Sequence, residues 1–150
     1  MDYLIDRAST CVKVLDISAA ALARARERLG TDAARVEWIE ADVAGEWSVP
    51  AVDIWHDRAV FHFLANANDR ARYRAHLLTA LRPGGSVIMA TFGPGGPQMC
   101  SGLPAVRYSP EALASELGEP FQLYETVREE HQTPFGSTQE FWYSRLVLGD

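Results

Sequence analysis

A buried strand that ends on an acid and passes at once into a helix constrains this chain more than any other feature. Residues 12–18 read Val-Lys-Val-Leu-Asp-Ile-Ser. They are β-branched and nearly continuously apolar, as a strand covered on both faces must be. Asp16 closes the strand and Ser18 is placed to cap a helix. Leu22, Ala25 and Leu29 follow at helical spacing, and Gly30 supplies the stop. In a parallel βαβ unit that binds a nucleotide, such an acid ends the second strand and accepts bonds from ribose hydroxyls. The first strand and its glycine-rich turn then belong about twenty residues earlier. Only residues 1–11 stand there, and none is glycine. The expectation is a sheet without its first strand.

The rest of the chain alternates strand and helix. Residues 36–43 read as a strand. Residues 52–55 form a short strand that leads into His56, Asp57 and Arg58. Asn68 or Asp69 opens a helix with Tyr73, Leu77, Leu78 and Leu81 on one face, and Pro83-Gly84-Gly85 ends it. Residues 86–92 are a buried strand, and residues 93–104 are a Gly/Pro-rich loop. Ser109, Pro110 and Glu111 start a helix as cap, first-turn proline and early acid, and it runs to Gly118. Residues 121–130 and 140–148 are two strands, antiparallel, joined through residues 131–138. Residues 1–8 fit the end of a helix. The order implies one α/β domain over residues 1–150, its sheet largely parallel with an antiparallel pair at the end.

Bulk properties exclude several classes. With 20 acidic against 14 basic side chains, the net charge of −6 argues against a nucleic-acid partner. No apolar run reaches the roughly 18 residues of a membrane span, and the first residues lack a signal-peptide pattern. Two cysteines, Cys11 and Cys100, make no disulfide framework, which points to a reducing cytoplasm.

Several segments together resemble the class I S-adenosylmethionine-dependent methyltransferases. They are Val-Leu-Asp-Ile-Ser at 14–18, Glu-Ala-Asp-Val at 40–43 and residues 52–64. Leu-Arg-Pro-Gly-Gly at 81–85 with the apolar strand after it, and the terminal strand pair, complete the set. The resemblance covers nearly the whole chain and implies a Rossmann-like methyltransferase sheet. It implies S-adenosylmethionine as cofactor, with Asp16 and Ile17 at the ribose, Asp42 and Val43 near the adenine, and Arg58 at the cofactor side. His56 and Asp57 would lie beside the methyl donor and the acceptor, where either could take the acceptor's proton. Asp57-Arg58-Ala59 is also loosely similar to an Asp-Lys-Gly turn of some lysine methyltransferases. The acceptor is a small molecule or a protein side chain. The family's glycine-rich first motif has no counterpart here, so the resemblance is to an N-terminally truncated member.

In that family the first strand is central, so its loss bares two strand edges. A buried unpaired backbone group costs about 1–3 kcal/mol, and open edges invite pairing. The expectation is a repacked sheet or an intertwined homodimer. Two further readings stand. One is a repurposed hydrolase, with zinc or another divalent metal on residues among His56, Asp57, His62, Cys100 and His131, or with a Cys100–His131 pair acting as nucleophile and base. The other is a non-catalytic remnant or interaction module. His62, inside Ala-Val-Phe-His-Phe-Leu, also suits a core histidine.

Overall fold

The computed structural model describes residues 11–133 and 136–149, and the readings for residues 1–8 and for the middle of the 131–138 turn lie outside them. The chain divides into two compact units, Met1–Trp47 and Ser48–Asp150.

In the first unit, β1 (Val12–Asp16) pairs in parallel with β2 (Val36–Glu40), in register from Val12 opposite Val36 to Asp16 opposite Glu40. Between them runs α1 (Ala19–Leu29), followed by a 3-10 turn over Gly30–Arg35. Ser18 caps α1 as its sequence position demands: it has extended backbone, and its hydroxyl accepts from the Ala21 N–H. Gly30 stops it in the left-handed region, at φ +57°. Leu22 is the buried residue of the helix. β2 is shorter than its alternating pattern: Asp42 folds back on Ala44 and Gly45 in a tight turn, which breaks the extended run.

The second unit is a four-stranded mixed sheet in the order β3-β4-β8-β7. β3 (Val52–Arg58) and β4 (Leu81–Phe92) are parallel, while β8 (Thr138–Leu148) is antiparallel to both β4 and β7 (Phe121–Gln132). The terminal antiparallel pair is therefore present, with the later strand inside and the earlier one at the edge. α2 (Ala67–Ala80) begins at an Asn66 cap, and α3 (Pro110–Leu117) at a Ser109 cap with proline in its first turn. Arg70 on α2 bonds Glu116 on α3 at 2.6 Å, and Arg74 donates to the Leu117 and Glu119 carbonyls.

Further segments differ from the sequence reading, β3 among them, since it runs on through His56, Asp57 and Arg58. Leu-Arg-Pro-Gly-Gly is a bulge at the entry to β4 rather than a turn before it: Val52 faces Leu81, whereas Ile54 already faces Ser86. Gly84 supplies a φ of +73°, and a Cβ on Gly85 would stand 2.8 Å from the Arg82 carbonyl. The Gly/Pro loop holds a two-residue hairpin of its own, β5 (Met99–Cys100) on β6 (Leu103–Pro104).

Alternation along the strands sorts the sheet's faces. Val87, Met89 and Leu146 are wholly buried, as are Tyr73 and Leu77 of α2 and, almost wholly, Leu113 and Leu117 of α3. Leu146→Ala should lower unfolding free energy by about 2–5 kcal/mol in urea denaturation, because the cavity falls in this core. A loss under 1 kcal/mol would place Leu146 outside it.

Candidate functional site

The first unit carries its candidates at the ends of its strands. Asp16 is half-buried, and its Oδ1 accepts the Ser18 N–H at 2.8 Å while its carbonyl accepts the Ala41 N–H. Asp42 is exposed and repeats the device, with Oδ1 accepting from the Ala44 N–H at 2.9 Å. Each acid thus spends one oxygen on its own turn and keeps Oδ2 uncommitted among the described residues. Ile17 beside Asp16 is 69% exposed, an apolar side chain held out at a strand end. Val43 gives its carbonyl to the Trp47 indole N–H.

In the second unit, β3 sends alternate residues to opposite faces. Trp55 and Asp57 meet α2. The Trp55 indole N–H donates to the Tyr73 hydroxyl at 2.9 Å, and that hydroxyl donates to Asp57 Oδ2 at 2.6 Å. Asp57 also accepts from the Val60 and Phe61 N–H groups. Burial pushes the Asp57 carboxyl above its ordinary value, against the opposing pull of these bonds. Burial and the facing carboxylate push the Tyr73 hydroxyl up as well. The acid is 5% exposed and its oxygens are taken, so it fixes the turn after β3 rather than offering itself to a ligand. That turn carries Ala59 at φ +65°, a conformation a side chain rarely adopts, anchored by its N–H on the Ala90 carbonyl.

His56 and Arg58 point the other way and are exposed. Partial desolvation holds His56 below its usual 6.5, opposed by the Asp57 charge, so the ring is largely neutral at pH 7. Arg58 Nε donates to the Tyr143 hydroxyl at 2.9 Å, and its guanidinium lies 5.1 Å from the centroid of the Phe141 ring. In the sequence, Tyr73 stands only on a helix face, and nothing singles out Tyr143. Their polar roles are set by pairings across 16 and 85 residues that no local pattern announces.

The metal candidates form no ligand cluster. Among the described residues no group of three or more His, Cys, Asp or Glu side chains is placed to hold an ion. Cys100 packs beside Ala59, Ala105 and Tyr143 on the buried cluster of Ala90, Phe92 and Phe141. His131 stands edge-on to Phe141, with ring centres 6.4 Å apart. His62 is fully buried between Phe63 and Phe92. Its Nδ1 accepts weakly from the Phe92 N–H at 3.4 Å, and its Nε2 has no partner. Burial lowers its pKa to about 4. His62 is a core histidine, as its apolar neighbours in sequence suggest.

A family profile described as a methyltransferase domain matches residues 1–85. Comparison with curated protein sequences gives no match. Among solved structures, the chain is similar to the N-methyltransferase NodS from Bradyrhizobium japonicum WM9 in complex with S-adenosyl-L-homocysteine. The TM-score is 0.70 at 17% identity, over 93% of this chain and 67% of that one. It is also similar to a Burkholderia thailandensis 1,6-didemethyltoxoflavin-N1-methyltransferase with bound 1,6-didemethyltoxoflavin and S-adenosylhomocysteine. There the TM-score is 0.72 at 19% identity, over 99% of this chain and 65% of that one. An S-adenosylmethionine-dependent methyltransferase from Clostridium acetobutylicum gives 0.72 at 11%, over 94% and 76%. At these identities the likeness concerns the fold, an α/β sheet of the Rossmann-like methyltransferase kind with antiparallel strands at one side.

The buried His62 makes stability depend on pH. Its folded pKa lies below its unfolded value, so its contribution is intact above pH 6.5 and is lost as pH falls toward 4. Urea denaturation should show a loss of up to roughly 3 kcal/mol across that window. In His62→Leu the histidine part of that slope should vanish. An identical slope in both proteins would refute the assignment.

Proposed function

The chain belongs to the class I S-adenosylmethionine-dependent methyltransferase family, and on that premise we propose that it binds S-adenosylmethionine and serves methyl transfer. The observation that carries this reading is Asp16: a carboxylate at the end of a parallel strand, turned by one oxygen and, among the described residues, uncommitted at the other. A carboxylate oxygen accepts from the hydroxyls of a ribose diol. Exposed Ile17 adds an apolar contact, and Asp42 with Val43 suits the amino edge of an adenine. The nucleoside end of the cofactor thus has fitting partners.

When bound, the cofactor supplies a sulfonium that is already an activated methyl donor. The chain's own part is to orient an acceptor and remove its proton. His56, exposed and largely neutral, takes that proton at its unprotonated ring nitrogen. Asp57 acts through the backbone turn it holds. The acceptor is a small molecule or a side chain. Both cysteines are free, in keeping with a cytoplasmic setting, and no helix among the described residues is long and apolar enough to cross a membrane.

The partner proposed is a second copy. Among the described residues β3 is paired on one side only, and Ile54 on it is 59% exposed. An unpaired strand edge with an apolar side chain favours association. Light scattering at micromolar concentration should give twice the 16.6 kDa chain mass, and Ile54→Lys should shift the protein toward monomer. A monomeric wild type would contradict the pairing.

Calorimetry with S-adenosylmethionine tests the function itself. Wild type should bind, and Asp16→Asn should weaken binding on the order of tenfold, the worth of one charge-assisted bond. Absence of binding by the wild type, or equal binding by the variant, would contradict it.

A further inference from the structure

Arg58 is held in a way that leaves it ready for an anion. Several arginines of its unit meet carboxylates: Arg70 on Glu116, Arg82 on Asp53, and Arg128 on Glu130 and Glu140. Arg58 instead has neutral partners, the Tyr143 hydroxyl at Nε and the face of Phe141. Among the described residues its Nη donors are uncommitted. The aromatic contacts fix the guanidinium plane without neutralising it. The Tyr143 oxygen accepts from Arg58, so its own proton is free to donate to the same ligand. Tyr143 packs against the buried cluster of Ala90, Phe92 and Phe141, which fixes the place of its hydroxyl. Arg58 also ends a parallel strand, the side on which open α/β sheets place their ligands. Two residues earlier on the same face stands His56.

We infer that Arg58, with the Tyr143 hydroxyl, recognises a carboxylate on the methyl acceptor. This rests on the methyl-transfer reading for the word acceptor alone; the carboxylate site stands on the geometry of the strand end. Arg58 then determines acceptor choice rather than holding the cofactor. A guanidinium meets a planar carboxylate through paired N–H donors, and an uncharged amide of the same shape loses the charge assistance.

The test is an NMR titration of the protein with phenylacetate and phenylacetamide, read at the Arg58 Nε–Hε resonance and the backbone amides of residues 56–60 and 141–143. Wild type should prefer phenylacetate on the order of tenfold. Arg58→Gln should abolish the preference, and Tyr143→Phe should reduce it. Arg145 is the matched control, an exposed guanidinium over the Tyr124 ring but in mid-strand, and Arg145→Gln should keep the preference. No preference in wild type, survival of the preference in Arg58→Gln, or equal loss in Arg145→Gln would overturn the inference. A parallel titration with S-adenosylmethionine separates the two readings. Arg58→Gln should match wild type there, and a selective loss of cofactor affinity with the carboxylate preference intact would assign Arg58 to the cofactor instead. A wild type that prefers phenylacetate yet binds no S-adenosylmethionine upholds the carboxylate site and sinks only the methyl-transfer reading.

Discussion

The carboxylate of Asp57 is the point on which the second unit turns. It lies under α2, where burial disfavours its charge, and four groups are gathered around it or its partner to offset that cost: the Tyr73 hydroxyl, the Val60 and Phe61 amides, and Trp55 behind Tyr73. A buried acid so satisfied is rigid, because moving any donor leaves a buried group unpaired. The consequence is a defined turn at the end of β3. Ala59 is kept in the left-handed region there, and the chain passes directly into the Phe61–Phe63 turn. With Asp57 locked to one face, the pleat presents His56 and Arg58 on the other.

That division explains which parts of the chain were legible before its structure. Strand and helix identities follow from periodicity and caps: Ser18, Gly30, Ser109 and Pro110 all do what their residue types demand. The antiparallel ending was readable because no helical pattern separates residues 121–130 from 140–148. The order β4-β8-β7 places the later strand inside and was not readable from local pattern. Leu-Arg-Pro-Gly-Gly shows the limit in another way. Its residues say turn, yet pairing with β3 draws them into a bulged strand, since the turn residues can be absorbed as extra length.

At the site the limit has the same origin. His56, Asp57 and Arg58 stand consecutively, and sequence alone lends all three to the chemistry. The structure gives them unlike tasks, because period two sends the middle one to the helix side. Asp57 then meets a hydroxyl sixteen residues away, and Arg58 one from the last strand. His62 and Cys100 illustrate the reverse. Both residue types suggest metal or nucleophile chemistry, and both pack on the Phe92 side of the core.

Each unit carries its own candidate residues. The first offers acids whose turns leave one oxygen free, suited to a nucleoside diol. The second offers a neutral imidazole and a guanidinium held by neutral partners among the described residues. The most direct measurement is a 1H–15N NMR titration of the whole chain with S-adenosylhomocysteine. The proposed activity requires shifts concentrated at residues 16–18 and 42–44. Shifts confined to other segments, or none at saturating ligand, would contradict it.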